Sequence, residues 1–133
     1  MKTLLSRLQS FVGRDGDKAR LPLIICGLGY EHYRLQTLVS HSPSYEVLAV
    51  IDDFPWNHGT FVEGARVYYP SETLSLVEKH GVAALLYCQD SDLAVFDATT
   101  RTALANLRVP FLKLEPEQID DITLTLNSQL MHS

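Results

Sequence analysis

The chain has 133 residues, 46% of them hydrophobic and 20% charged, with a net charge of −5. That is the make-up of one globular domain with enough residues for a real core, and its acids are spread through the chain, leaving no basic patch for nucleic acid. No apolar run reaches bilayer length, so no transmembrane segment is expected.

Leu4, Leu5, Leu8, Phe11 and Val12 recur at helical spacing and predict an amphipathic helix over residues 3–12. Its apolar face is expected to pack on its own domain or on a second copy. Only Lys2 and Arg7 are basic there, which suits a membrane surface poorly. Residues 13–18 are polar and contain glycine, as a linker does. The start of the chain has no small-residue cleavage site, so no signal peptide is expected. Cys26 and Cys88 lie far apart and outside any C-x-x-C, so reduced thiols in the cytoplasm are expected. The chain thus divides into an N-terminal helix and linker, 1–20, and an α/β domain, 21–133.

Residues 22–26 are apolar throughout, as in a central parallel strand. Gly27-Leu28-Gly29 follows as a tight turn, and Tyr30 begins a helix to Ser40 with Leu35, Leu38 and Val39 as its stripe. A strand, G-x-G and a helix start open a dinucleotide-binding βαβ unit. Gly27 allows the turn, and Gly29 lets backbone approach a phosphate at the helix N-terminus. His32 stands where the third glycine of that fingerprint belongs.

Residues 45–51 form the second strand, with Asp52 and Asp53 at its C-terminal end. An acid there is placed to grip a ribose diol, although the interval from Gly27 is a few residues longer than the usual one of about 20. A like charge at this point disfavours a 2′-phosphate, and so NADP. The loop 54–59 holds Trp56, which either stacks on a base or folds back over the sheet edge. A third strand over 66–69 ends at Pro70, and Ser71 is expected to cap a helix over 72–80 that Gly81 ends.

Residues 82–88 make the fourth strand. Asp90-Ser91-Asp92 is expected to open a helix lined by Leu93, Phe96, Thr100, Ala103, Leu104 and Leu107. Residues 109–114 make the fifth strand, and one helix runs from Pro116 to about Gln129 with Ile119, Ile122, Leu126 and Leu130 on its stripe. The alternation predicts a three-layer Rossmann-like parallel sheet in the order 3-2-1-4-5.

Ile51-Asp52-Asp53-Phe54-Pro55, Gly59 and Gly64-Ala65-Arg66-Val67 add a more specific pattern. Over residues 21–115 it resembles the small Rossmann, CoA-binding-like domain that precedes nucleotide-sugar dehydratases and glycosyltransferases of polysaccharide biosynthesis. It is also similar to the N-terminal domain of sialic-acid-type sugar acetyltransferases. The resemblance implies a nucleotide-type ligand at Gly27, Gly29 and Asp52, with Asp53 as a second contact. The catalytic domain that follows in those families has no counterpart in the 133 residues, so the resemblance implies a binding site and not a reaction.

In such a sheet the ligand crevice lies beyond the C-terminal strand ends, where the winding reverses. Gly27, Gly29, His32, Asp52, Asp53, Trp56 and Cys88 are delivered there as the nucleotide-binding set. Three functional classes remain open. The first is a non-catalytic module for NAD or a nucleotide sugar, serving as a regulator or partner subunit in polysaccharide metabolism. The second is a zinc or redox site built from Cys26, His32, His58 and Cys88. The third is a vestigial-site module that pairs copies or recruits an enzyme through its terminal helices. G-x-S-x-G, Y-x-x-x-K and a P-loop lysine are all absent from the sequence, so no independent catalysis is expected. Histidine in the third-glycine position favours a filled cradle, weak classical NAD binding, and an His32→Gly variant that binds no worse.

Overall fold

The computed structural model describes residues 20–130. The predicted helix 3–12 and its linker lie outside the described residues. β1 (Leu21–Cys26) is buried from Pro22 onward, because it runs through the middle of the sheet. It pairs in parallel with β2 (Tyr45–Ile51) on one side and with β5 (Ala84–Tyr87) on the other. β4 (Ala65–Tyr68) extends the sheet beyond β2, and β6 (Phe111–Lys113) extends it beyond β5. These five strands follow the predicted 3-2-1-4-5 order. A sixth, β3 (Phe61–Val62), adds antiparallel to β4 at the edge, making β3-β4-β2-β1-β5-β6. Two residues show no alternation, so the sequence carries no signal for this strand.

Helices cover both faces. On one face α1 (Tyr30–Ser40), α4 (Pro116–Asp120) and α5 (Ile122–Leu130) bury Leu35, Val39, Ile119, Ile122 and Leu126 against Leu23, Ile25, Ala84 and Leu86. On the other, α2 (Thr73–His80) and α3 (Ala98–Asn106) bury Leu76, Val77 and Leu104 against Ile24, Ala49, Ile51 and Leu85. The β1–β2 register slips so that Leu23 pairs with Val47 and Ile24 with Ala49, leaving Leu48 as the extra residue of a bulge. The bulge lets Val47 and Val50 share one face while Ala49 and Ile51 share the other. Among the described residues no helix is long and apolar enough to cross a membrane.

Two predicted helices divide. The segment after β5 is a 3-10 turn over Asp90–Val95, then extended Phe96, then α3. Phe96 sinks into the core, and the Asp97 carboxylate starts a fresh helix by accepting the Thr100 N–H at 2.8 Å. The last helix breaks at Asp121, whose backbone leaves the helical region (φ −111°, ψ 45°). Ser71 caps nothing; Glu72 instead reaches back to accept the Tyr69 N–H at 2.9 Å. Gly81 ends α2 in the left-handed conformation, as read from sequence.

Candidate functional site

The winding reverses between β1 and β5. The chain leaves β1 toward the α1 face and leaves β5 toward the α3 face, which opens a crevice at the strand ends. Gly27 turns the chain with φ +107°, a conformation that side chains rarely adopt. Gly29 stands exposed at the start of α1, and no side chain caps that helix. Its first-turn N–H groups therefore face the crevice with the positive end of the helix dipole.

His32 lies in that first turn, yet its ring folds inward and is only 4% exposed. Its Nε2 meets Asp92 Oδ2 at 2.7 Å. The same oxygen accepts the backbone N–H groups of Cys88 at 3.0 Å and Gln89 at 2.9 Å. With Oδ2 already accepting two backbone N–H groups, the tautomer that fits has the proton on Nε2, which donates to it. Nδ1 is buried without a hydrogen-bond partner. It faces the underside of the turn, 3.1 Å from where a Cβ on Gly29 would sit. A Cβ on Gly27 would meet Asp92 Oδ1 at 2.5 Å and His32 Nε2 at 2.7 Å. The space beside the first glycine is thus filled by the chain's own side chains.

Asp92 is the site residue that sequence reasoning did not single out. In sequence it reads as part of a helix start, one of two acids in Asp90-Ser91-Asp92. Its position three residues after Gln89 at a strand end was the available signal, since that spacing lets an acid fold back on the preceding N–H groups. Asp90, two positions earlier, is exposed and pairs with Lys113 at 3.0 Å.

The other sequence candidates are placed as follows. Asp52 Oδ2 accepts the Phe54 N–H at 3.2 Å and the Asn57 amide at 2.9 Å, so this oxygen shapes its own loop. Asp53 is exposed beside it. Trp56 stands 81% exposed and does not fold over the sheet. His58 turns away from the crevice, bonding Glu72 at 2.8 Å and stacking on Tyr69 at 4.0 Å.

The zinc set does not assemble. Among the described residues no group of three or more His, Cys, Asp or Glu side chains could hold a metal. Cys26 packs in the core under α2 and α3, whereas Cys88 packs against the core under α1. The two thiols therefore point to opposite faces, and both are free. Burial, reinforced by the nearby Asp92 carboxylate, pushes the Cys26 thiol far above its usual range and the Cys88 thiol up to about 11. Neither favours the thiolate that zinc or a redox reaction needs.

These raised thiols set an alkaline limit. The unfolded chain releases thiol protons from about pH 8.5 upward while the folded state still holds them, so stability falls as pH rises. For Cys26 the slope is at most about 1.4 kcal/mol per pH unit. Urea unfolding under reducing conditions between about pH 8 and pH 10 checks this, and Cys26→Ala is expected to flatten the fall. A slope unchanged by that substitution would assign the limit to other groups.

No protein-family model matches the chain, and no curated protein matches its sequence. Solved structures do. The chain is similar to UDP-D-quinovosamine 4-dehydrogenase from Vibrio fischeri, with 20% identity, a TM-score of 0.58, and coverage of 79% of this chain and 87% of that one. It is also similar to RSP, a Rex-family repressor, which was solved in complex with beta-NADH. There the identity is 15% and the TM-score 0.58, over 98% of this chain and 69% of the other. At these identities the likeness shows the fold, which is Rossmann-like.

Proposed function

We propose that this chain is a Rossmann-like nucleotide-binding module with no reaction of its own. The observation that carries the reading is the uncapped N-terminus of α1, opening on the switch point of the sheet with exposed Gly29 at its tip. NAD and nucleotide sugars are the ligand classes. The sequence resemblance and the fold neighbours, one a UDP-sugar dehydrogenase and one solved with NADH, support both. The role that fits is a regulatory or partner subunit in cytoplasmic nucleotide-sugar metabolism, with the terminal helices joining it to a second copy or to an enzyme. His32 and Asp92 form a base and its orienting acid, but the remaining ring nitrogen is sealed from substrate, so the pair holds structure and does not transfer protons.

Thermal unfolding with NAD⁺, NADH, UDP, a UDP-sugar and CoA tests the reading. A ligand at a hundredfold excess over its Kd adds about 2.7 kcal/mol of stability, so at least one is expected to raise Tm clearly. If none does at millimolar concentration, the chain is not a nucleotide module. The third reading, a vestigial-site interaction module, then takes its place, and the His32–Asp92 bridge across the crevice already favours it.

A further inference from the structure

We infer that Asp92, acting through His32, limits the site to a single nucleoside with its phosphates and keeps dinucleotides out. The inference rests on the nucleotide-binding reading and adds which nucleotides fit. A dinucleotide must thread its pyrophosphate past the first glycine and carry its second half across the end of β5. In this molecule the bridge from the first turn of α1 to the turn after β5 spans that route. The side chains forming it are only 5% and 9% exposed, so no water-filled passage separates them. Asp92 is also fixed by the Cys88 and Gln89 N–H groups, and cannot swing aside without leaving both unpaired.

Charge acts in the same direction. Asp92 and Asp90 put carboxylates where a second nucleotide half would lie, and nearby Lys113 is already paired with Asp90. Glu31 is paired with Arg34. On the β2 side the surface stays open. Gly29 and Tyr30 are exposed at the α1 N-terminus, while Phe54 and Trp56 present bare rings at the end of β2. An aromatic face of this kind stacks a nucleobase without regard to its identity. The phosphate seats on the first-turn N–H groups above Gly29, because the unpartnered Nδ1 of His32 beneath that glycine is a bare acceptor and offers a phosphate no hydrogen bond. Asp92 thereby acts as a specificity-determining residue without touching the ligand.

Calorimetric titration of the full chain with AMP, ADP, UMP and UDP, set against NAD⁺ and NADH, tests this. At least one mononucleotide is expected to bind tenfold or more tightly than either dinucleotide. Asp92→Ser and His32→Gly are each expected to shrink that ratio by opening the route beside Gly27. If either variant fails to fold, the ratio in the native protein decides alone. NADH binding as tightly as the best mononucleotide would overturn the inference and leave the nucleotide module standing. Binding of no nucleotide at all would overturn both.

Discussion

Gly27→Ala is expected to cost about 3–5 kcal/mol of folding stability with no ligand present. Two terms add. Holding alanine at φ +107° costs about 1–3 kcal/mol. Forcing a methyl group against Asp92 Oδ1 at 2.5 Å and His32 Nε2 at 2.7 Å adds overpacking of similar size. Neither side chain end is loose, since His32 Nε2 bonds the other oxygen of the same carboxylate, Asp92 Oδ2, which also holds two backbone N–H groups. For a domain of this size the loss corresponds to roughly 10–20 °C in Tm. Gly29→Ala is the control. Its backbone is extended, with φ 167°, and its Cβ would meet only the edge of the His32 ring at 3.1 Å. A cost near 1 kcal/mol is expected there. Equal losses at the two glycines would show that the packing around Gly27 is misjudged. The comparison also separates two meanings of the first glycine. If Gly27 were kept only for a phosphate, its alanine variant would fold normally and merely fail to bind.

Asp92→Ala is expected to cost about 3–5 kcal/mol as well, because it strands three donors at once. The buried His32 ring loses its orienting partner, and the N–H groups at the end of β5 lose theirs. Asp92→Asn should cost about 1–2 kcal/mol. With its carbonyl oxygen in the place of Oδ2 it keeps all three bonds, and its amide takes the place of Oδ1, so the negative charge is what is lost. Nitrogen NMR is expected to show the same Nε2–H tautomer at residue 32 in Asp92→Asn as in the native protein, and a changed ring signal in Asp92→Ala, which a purely steric role for Asp92 would not produce. In a double-mutant cycle, Gly27→Ala should cost at least about 1 kcal/mol less on the Asp92→Ala background. Strict additivity would mean that the glycine and the carboxylate do not share space.

The layered sheet was legible from residue order alone, because it rests on local periodicity. Runs such as Leu23 to Cys26 and Leu85-Leu86 are apolar on both faces only if helices cover both, and alternation with helical stripes then dictates a parallel sheet. Gly81 as a helix stop was equally local, being one residue in one conformation. The same locality hid the 3-10 segment after β5. Its apolar spacing reads as helix, and only the burial of Phe96 and the cap at Asp97 show that the chain turns there.

Which residues lie at the strand ends was legible, but not how their side chains are arranged. Sequence placed Gly27, Gly29, His32, Asp52 and Cys88 at one sheet edge, since strand ends follow from strand order. It did not determine what each side chain does, because that depends on a partner chosen by folding. Asp52 and Asn57 find each other across a short loop, but His32 meets an acid 60 positions away. Asp90 and Asp92 are interchangeable as letters, and only the direction in which the chain leaves β5 turns one outward and the other into the crevice. The glycine turn belongs to the sequence. Whose negative charge lies against it was decided by the tertiary structure, which set the chain's own carboxylate there because His32 and two strand-end N–H groups converge on that point.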